Sequence, residues 1–307
     1  MVDVRYAHKH NFLLWFSLSN CIRIESSANI QLAGMAQRQP LTFWEKLKQD
    51  PKKTRKEIGA ETLAICMRKF YFKNGVAINI SVDDVQNSTK LSGIKWITGK
   101  NKTTVRLCPL DTLDTAVLLT QKRENPSICI LNFANDERPG GYWGSGSHTQ
   151  EDDLFYRTDL STILPSRSDL YPIKEFEVIY TPKIQIFRGN EKSGYELMET
   201  QVPVACISAA AYKFRRPIDY LDEKHAAGTR MKIATVLTAA AENGHDTLIL
   251  GAFGCGAFGN PPDHIAELFK QTFAEFSGTF KEIVFAIPPG DGNLDAFKKV
   301  FAPPKQE

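Results

Sequence analysis

The chain has 307 residues, of which 42% are hydrophobic and 24% are charged, and its formal net charge is +3. These values lie near globular averages and exclude a fibrous or largely disordered protein. A dedicated nucleic-acid binder carries a concentrated basic face, so this mild charge predicts no direct sequence-specific nucleic-acid partner.

The first 38 residues carry no clear structural signal, and we interpret residues 1–38 as an N-terminal extension. The apolar run 12–16 follows basic residues as in a weak signal peptide, but Ser and Asn soon interrupt it. No stretch approaches the roughly 18 apolar residues that a membrane span needs. Six scattered cysteines without a C-x-x-C pair favour reduced thiols over disulfides or a zinc site. These features predict a cytoplasmic or nuclear protein without membrane association or bound metal.

Residues 39–103 are predicted to form an accessory region packed on the core. Phe43 and Leu47 have helical spacing, and the pattern predicts two helices over 41–70 that are separated near Asp50-Pro51. The basic residues between positions 46 and 56 are typical of a solvated helix face. Alternating apolar and polar residues then predict a strand over 72–80.

Residues 104–307 are predicted to form the core, in which strands and helices alternate. The predicted strands are 104–108, 127–133, 202–210, 246–251 and 282–287. The predicted helices are one that opens after Pro109, then 229–241, 262–276 and 294–301. This order predicts an α/β fold with a mainly parallel sheet that helices cover on both faces.

A glycine-rich segment, 251–260, lies between the predicted strand 246–251 and a helix that begins at Pro262. Its four glycines lack Cβ atoms, so backbone N–H groups can approach a ligand closely, and the helix start adds further donors and a positive dipole. The segment therefore predicts a phosphate or diphosphate site, with tight packing as the simpler alternative. The spacing also matches the Rossmann fingerprint, but only one strand and one short helix remain after it, which is too little chain for that fold.

A second candidate loop, 132–154, also follows a buried strand. Glycines come first, and an acidic cluster, Glu151-Asp152-Asp153, then leads into an apparent helix. Acidic residues at a helix start interact favourably with the helix dipole, or they can act in catalysis. The spacing alone leaves both interpretations open.

Together, the two loops resemble the macrodomain superfamily, specifically the microbial type of poly(ADP-ribose) glycohydrolase. That family carries N-F-A-x-x-x-x-P-G-G-G, then Q-E-E, and later G-x-x-G-C-G-x-F-G-N. The matching residues here are 132–134, 139–141, 150–152 and 251–260. The resemblance covers the chain from about residue 104 onward. It implies a macrodomain-like three-layer α/β/α sandwich with a mixed sheet, which in this chain follows an N-terminal helical extension.

The resemblance also implies an activity, hydrolysis at the distal ribose of ADP-ribose without a cofactor, and a set of site residues. Poly(ADP-ribose) or an ADP-ribosylated protein would be the substrate partner, and ADP-ribose the product. By motif position Asp152 is the proton donor and Glu151 its positioning partner. The residues expected to bind ADP-ribose are Asp111, Asn132, Asn135, Gly140, Gly141, Gln150, Gly254, Cys255, Gly256, Ala257 and Phe258. Asp111 is expected near the adenine, although an N-cap role fits it equally well.

The chain departs from the family pattern at two positions. Tyr142 replaces the third glycine of the first loop, and Asp152 replaces the second glutamate. A tyrosine there would crowd the ribose or stack on a substrate group. An aspartate is one methylene shorter than glutamate, and a misplacement of about 1 Å can cost about 100-fold in rate. These departures favour the alternative function, a module that binds ADP-ribose without cleaving it.

The linkage that is cleaved stays open at the sequence level. The transition state is oxocarbenium-like, and its proton donor needs a pKa raised toward neutrality by burial or a neighbouring charge. Ribose–ribose cleavage fits the resemblance. Removal of single ADP-ribose units from arginine fits an acidic cluster of Asp152, Asp153 and Asp159, because carboxylates pair well with guanidinium. The neighbouring aromatic residues Trp143, Phe155 and Tyr156 are expected to pack in the core or loop.

Overall fold

The computed structural model describes residues 41–80, 87–122 and 126–302, and the described chain belongs to a single unit that begins at Leu41. The predicted N-terminal extension, residues 1–38, lies outside the described residues. Among those that are described, no helix combines the length and the apolar character that a membrane crossing requires.

Two helices, α1 (Phe43–Gln49) and α2 (Pro51–Arg68), open the described chain. Asp50 ends α1 and caps α2, because its carboxylate accepts a 2.9 Å hydrogen bond from the Lys53 amide. Pro51 follows at the first helical position, where a missing N–H is tolerated. The predicted pair of helices with a break at Asp50-Pro51 is therefore confirmed.

A short hairpin follows, formed by β1 (Phe70–Lys73) and β2 (Val76–Asn79). The prediction of one strand over 72–80 is wrong, because Asn74 and Gly75 turn the chain with φ angles of 52° and 78°. An Asn-Gly pair with positive φ at both positions is the preferred two-residue hairpin turn.

The main sheet has seven strands in the order β3-β6-β7-β5-β8-β9-β4. From β7 to β4 every neighbouring pair is parallel, whereas β3, β6 and β7 pair antiparallel. The mixed, mainly parallel sheet is therefore as predicted. The strands are β3 (Thr89–Ser92), β4 (Thr104–Cys108), β5 (Ile128–Phe133), β6 (Glu177–Arg188), β7 (Leu197–Ala209), β8 (Thr247–Leu250) and β9 (Glu282–Ala286).

Helices cover both faces of this sheet. One face carries α3 (Thr112–Lys122), α4 (Gln150–Arg157) and α5 (Leu160–Ile163); the other carries α6 (Glu223–Glu242), α7 (Pro262–Glu275) and α8 (Asn293–Phe301).

Strand β5 shows how the sequence builds the two layers. Cys129 and Leu131 join the core beneath α6–α8, whereas Ile128 and Ile130 join the core beneath α3–α5. Side chains alternate between the faces of a strand, so a continuous apolar run fills both cores. The predicted three-layer α/β/α architecture is confirmed.

Some elements differ from the prediction. Strand β6 was not predicted, and β7 begins five residues before the predicted position 202. Strand β3 comes from the 39–103 region, yet it forms one edge of the main sheet through its pairing with β6. The 39–103 region therefore contains helices α1 and α2 and also supplies one strand to the core sheet.

The five parallel strands β4, β5, β7, β8 and β9 end at one edge of the sheet. Because β5 and β8 are neighbours, the segments that follow them, 134–149 and 251–260, lie side by side. In open α/β sheets, ligands bind in crevices beyond the carboxyl ends of the strands.

Candidate active site

A cleft of about 1050 Å³ lies at this edge of the sheet. Its walls include residues from the segments after β4, β5, β7, β8 and β9, and the first turn of α4. Of the residues predicted to act or bind, those that line it are Asp111, Asn135, Gly141, Gln150, Glu151, Asp152, Gly254, Gly256, Ala257 and Phe258. Asn132, Gly140 and Cys255 are not among the lining residues.

The segment 251–260, which we call the glycine loop, is folded by its own backbone. The Asn260 amide donates to the Gly254 carbonyl at 3.0 Å, and the Asn260 side chain donates to the Tyr212 carbonyl at 2.7 Å. Gly254 has a φ of 77°, and a Cβ there would lie 2.5 Å from Asn260 Nδ2 and 2.6 Å from Ala211 Cβ. The turn therefore requires glycine at this position.

The glycine loop presents unused hydrogen-bond donors to the cleft. Among the described residues, the backbone amides of Gly254, Gly256, Ala257 and Phe258 donate no hydrogen bond, and all four residues line the cleft. Successive unpaired N–H groups form an anion-binding site, so the segment can receive a phosphate or diphosphate.

Cys255 faces away from this surface. Its amide is already bonded to the Ala252 carbonyl at 3.0 Å, and its thiol lies 3.7 Å from the Phe253 carbonyl. Burial raises the pKa of the thiol. The structure thus provides loop amides on either side of Cys255 as donors, but not Cys255 itself.

The first residues of α7 do not line the cleft. Neither Pro261, Pro262 nor Asp263 lines the cleft, and the Asp263 carboxylate pairs with Lys299 at 2.7 Å. The cleft wall is therefore formed by the glycine loop and not by the first residues of α7.

Glu151 sits at the centre of the second wall, which the segment 134–149 and the first turn of α4 form. Its Oε1 accepts hydrogen bonds from the Gly140 amide at 3.1 Å and from Asn132 Nδ2 at 3.4 Å, and its Oε2 accepts from the Asn135 amide at 2.9 Å. A Cβ at Gly141 would lie 3.2 Å from Oε2. The glycine therefore leaves Oε2 open to the cleft.

Burial raises the pKa of Glu151 to about 8, well above its ordinary value of 4.5. The side chain is only 3% exposed, and its three N–H donors oppose the burial effect only in part. The neighbouring Asp152 charge adds to the rise. The raised pKa expected of the proton donor is therefore found on Glu151, the predicted positioning partner.

Asp152 is held differently. It forms a capping box with Thr149 at the start of α4: its Oδ2 accepts from the Thr149 amide and hydroxyl, both at 2.7 Å. Within the described chain no hydrogen bond reaches Oδ1. Asp152 thus has one oxygen fixed by the helix cap and one that is free of such partners.

The amide side chains around the acids form their scaffold. Gln150 accepts from the Phe133 amide at 2.9 Å and donates to the Leu131 carbonyl at 2.8 Å, which ties α4 to β5. Asn135 accepts from the Glu137 and Arg138 amides, each at 3.0 Å.

Two predicted ribose contacts, Asn132 and Gly140, lie behind the cleft. Asn132 is fully buried and donates to Ser208 at 3.0 Å. A Cβ at Gly140 would meet the rings of Phe155 and Trp143 at 2.5 Å. Asn132 and Gly140 therefore support Glu151 from behind.

The aromatic residues of this region pack as expected. The Trp143 ring lies 5.6 Å from Phe155 and 6.1 Å from Tyr156, and the Tyr156 hydroxyl donates to the Trp143 carbonyl at 2.7 Å. Helix α2 lies against the same cluster, since a Cβ at Gly59 would meet the Trp143 ring at 2.9 Å.

A buried arginine organises the acids at the other end of the cleft. Arg157 is 1% exposed and pairs with Asp153 at 2.7 Å, with Asp111 at 3.0 Å and with Asp114. Asp111 also caps α3, because it accepts from the Asp114 amide at 2.8 Å. Asp111 therefore has the N-cap role and also lines the cleft.

Asp159 does not join the acidic cluster proposed from the sequence. It is fully buried, accepts a 2.7 Å hydrogen bond from the Gln185 amide, and is absent from the cleft lining.

Several lining residues were not anticipated, among them Lys213, Ile287 and Asn293. The Lys213 ammonium lies 5.9 Å from the Phe258 ring. A signal for Lys213 existed, because it closely follows the predicted strand 202–210 at the same edge of the sheet. Across the described residues no group of three His, Cys, Asp or Glu side chains could hold a metal ion.

Comparison with known proteins identifies relatives of the chain. A family model described as "Microbial-type PARG, catalytic domain", where PARG is poly(ADP-ribose) glycohydrolase, matches residues 59–189. The crystal structure of PARG from Thermomonospora curvata is 30% identical, covers 81% of this chain and 100% of its own, and has a TM-score of 0.72. A comparison with curated protein sequences gives no significant match.

Two further solved structures carry ligands. PARG from T. curvata bound to the inhibitor ADP-HPD is 29% identical over 80% of this chain and 99% of that chain, with a TM-score of 0.69. PARG from Deinococcus radiodurans in complex with ADP-ribose is 26% identical over 71% of this chain and 95% of that chain, with a TM-score of 0.62.

The fold and these relatives define a protein with a macrodomain-like α/β fold that is a hydrolase of the glycosidase type. The chain belongs to the microbial-type PARG family.

Proposed function

We propose that this protein binds ADP-ribose units and hydrolyses the ribose–ribose bond of poly(ADP-ribose), and so releases ADP-ribose. One observation carries the proposal: a single cleft holds both the unpaired amides of the glycine loop and the carboxyl groups of Glu151 and Asp152. An enzyme that binds and cleaves a nucleotide sugar needs the phosphate-binding amides and the carboxyl groups close enough for one ligand to contact both.

The diphosphate is assigned to the amides of Gly254, Gly256, Ala257 and Phe258. The bound ADP-ribose of the D. radiodurans enzyme and the inhibitor complex of the T. curvata enzyme support a ligand of this kind. With the diphosphate there, the distal ribose reaches toward Gly141, where the lack of a side chain exposes Glu151 Oε2.

Asp152 is assigned as the proton donor. The assignment follows its motif position: its carboxyl group lines the cleft, and no hydrogen bond from the described chain reaches Oδ1, so that oxygen is available to the leaving group. In the reaction the bond between the anomeric carbon and the leaving 2′-oxygen breaks, and the proton passes to that oxygen. Water then adds to the oxocarbenium-like carbon and gives a proton to the Asp152 carboxylate, which restores the donor and yields ADP-ribose and a shortened chain.

Glu151 is assigned to hold the ribose. Three N–H donors fix both of its oxygens against the segment 134–149. Because its raised pKa lets it change protonation near neutrality, it can donate to a ribose hydroxyl or, once ionised, stabilise the developing positive charge.

The charges favour poly(ADP-ribose) over mono-ADP-ribosyl-arginine as the substrate. A guanidinium leaving group would need carboxylates that are free to pair with it. Asp153 is already paired with Arg157 at 2.7 Å, and Asp159 is buried away from the cleft. The three aspartates that suggested an arginine substrate from the sequence, Asp152, Asp153 and Asp159, therefore do not act as one free cluster in the cleft.

The test is a release assay with two substrates, poly-ADP-ribosylated protein and mono-ADP-ribosylated arginine in a peptide. We expect ADP-ribose to appear from the first substrate, detected by chromatography, and little from the second. Tight binding of ADP-ribose with no release from either substrate would establish the alternative, a reader module. Release from the arginine peptide alone would show that the assigned linkage is wrong.

A further inference from the structure

We propose that Tyr142 and Arg138 form a subsite for the nucleotide that leaves, namely the adenosine diphosphate part of the neighbouring ADP-ribose unit. This inference rests on the proposed hydrolysis of poly(ADP-ribose) and adds what the enzyme recognises beyond the unit it releases. Two features distinguish the pair: an exposed aromatic ring at the wall of the cleft, and a cation stacked on it.

The Tyr142 ring is 57% exposed and lines the cleft. The guanidinium carbon of Arg138 lies 4.1 Å from its centroid, so one face of the ring is occupied. The exposed area therefore belongs to the other face and the edges. A large aromatic ring held exposed at a cleft is suited to stacking on a nucleobase.

Arg138 is available for an anion. Its side chain is exposed, and none of the described carboxylates forms an ion pair with it. A guanidinium binds phosphate oxygens in bidentate geometry and, at the same time, can stack on an aromatic face. A base and a diphosphate are therefore the two groups that this pair is built to bind.

The subsite lies where the leaving group departs. Tyr142 directly follows Gly141, the residue that faces Glu151 Oε2, and the acidic residues line the same cleft. The group released by a proton donor must leave beside that donor, and in poly(ADP-ribose) that group is the adenosine ribose of the next unit.

The pair is also held in place before any ligand binds. The Arg138 amide donates to Asn135 Oδ1 at 3.0 Å, and the Ser145 amide and hydroxyl donate to the Tyr142 carbonyl at 2.8 Å and 2.7 Å. Tyr142 has a φ of −117°, which any residue adopts without strain. The backbone therefore does not demand glycine here, and the side chain is available for recognition.

The Tyr142 and Arg138 pair also disfavours mono-ADP-ribosyl-arginine as a substrate. Arg138 does not line the cleft itself, but it stacks on Tyr142, which does, so it would repel an arginine guanidinium bound beside that ring and attract a diphosphate. The departure from the family glycine at position 142 thus selects for a nucleotide leaving group.

The experiment compares the binding of an ADP-ribose dimer with that of free ADP-ribose, by calorimetry, in an Asp152→Asn background that prevents turnover. We expect the dimer to bind at least about tenfold more tightly, because base–aromatic stacking and an arginine–phosphate contact each contribute on this scale. Tyr142→Ala and Arg138→Ala should each lower the ratio of the two affinities by about five- to tenfold. In the active background, both should lower kcat/KM for poly(ADP-ribose) relative to a 4-nitrophenyl glycoside of ADP-ribose.

Matched controls are Tyr220→Ala, which removes a 71% exposed tyrosine away from the cleft, and Arg68→Ala, which removes an arginine stacked on Phe70 at 5.5 Å. Neither should change the affinity ratio. An unchanged ratio in the Tyr142 and Arg138 variants, or equal loss for dimer and monomer, would overturn the subsite. Failure of the wild type to release ADP-ribose from either substrate would instead overturn the proposed hydrolysis, and the affinity ratio would still decide on the subsite.

Discussion

The two walls of the cleft follow neighbouring parallel strands, yet they are built on opposite principles. The glycine loop after β8 presents backbone amides, whose partial charges do not depend on pH. The wall after β5 presents carboxyl groups, whose state depends on burial and on three N–H donors. Ligand binding and bond cleavage are therefore assigned to separate segments of the chain. Substitutions in one segment should change affinity, and substitutions in the other should change turnover.

The largest expected effect is on the carboxyl side. Asp152→Asn removes the carboxyl group that is assigned as proton donor, so we expect kcat for poly(ADP-ribose) to fall by about 10²- to 10⁴-fold. The dissociation constant for ADP-ribose should stay within a few-fold, because the amides that bind the diphosphate are untouched. Asp152→Glu, which restores the family residue, is the matched control and should retain turnover. Normal turnover by Asp152→Asn would show that another group supplies the proton.

On the backbone side, Gly256→Val should weaken ADP-ribose binding by about 10- to 100-fold, because a side chain there fills the space before the amides. No atom lies within 4 Å of a Cβ at Gly256, so the melting temperature should hardly change. Gly254→Ala should lower the melting temperature as well, since its Cβ would meet Asn260. Unchanged affinity in Gly256→Val, measured by calorimetry, would contradict the diphosphate assignment.

The pH dependence of stability separates the walls further. Glu151 has a pKa of about 8 when folded, against an ordinary 4.5, so the folded protein retains this proton while the unfolded chain loses it. The contribution to stability is complete below pH 4.5 and is lost as the pH rises toward 8, at up to roughly 1.4 kcal/mol per pH unit. Urea unfolding at several pH values checks this slope. Glu151→Gln should flatten it, and an equal slope in that variant would refute the cause.

The smallest expected effect concerns the packing behind the acids. Tyr156→Phe removes hydrogen bonds to the Trp143 and Ser147 carbonyls, at 2.7 Å and 2.9 Å, and should lower the free energy of unfolding by about 1 kcal/mol. It should also reduce kcat a few-fold, because these bonds hold the segment that leads to the acids. Tyr71→Phe removes a similar bond, to the Met198 carbonyl, and should affect stability alone. Equal kcat values in the two variants would argue that this segment is held by other contacts.

Much of the fold follows from patterns that are local in sequence. The apolar run of β5 predicts a strand, and the glycine loop before Pro262 predicts a turn. Both predictions succeed because each pattern depends only on residues within that one element. Strand β6 was not predicted because Pro182 and Lys183 interrupt its apolar residues, where its antiparallel pairing with β7 shifts register, and because its polar residues Thr181, Gln185 and Arg188 are buried.

Site residues could be predicted where they belong to a sequence motif. The orientation of their side chains could not, because packing in the folded protein decides it. Spacing cannot reveal that Cys255 points away from the cleft or that Asp159 bonds to the Gln185 amide. These outcomes depend on which side of a turn faces the sheet. The pKa of Glu151 likewise depends on burial, which raises it, and on N–H donors at positions 132, 135 and 140, which lower it, and only the fold brings these together.

The wall that carries Glu151 and Asp152 depends on contacts with helix α2, which is distant in sequence. Thr62 donates to the Tyr156 carbonyl at 2.7 Å, and a Cβ at Gly146 would lie 2.1 Å from the Lys52 carbonyl, so α2 presses directly on the segment that leads to the acids. A shortened protein that starts at residue 104 would retain every motif residue and yet lack this brace. During synthesis, α2 emerges first and must wait about ninety residues for its partner, so the catalytic geometry can mature only after both have left the ribosome.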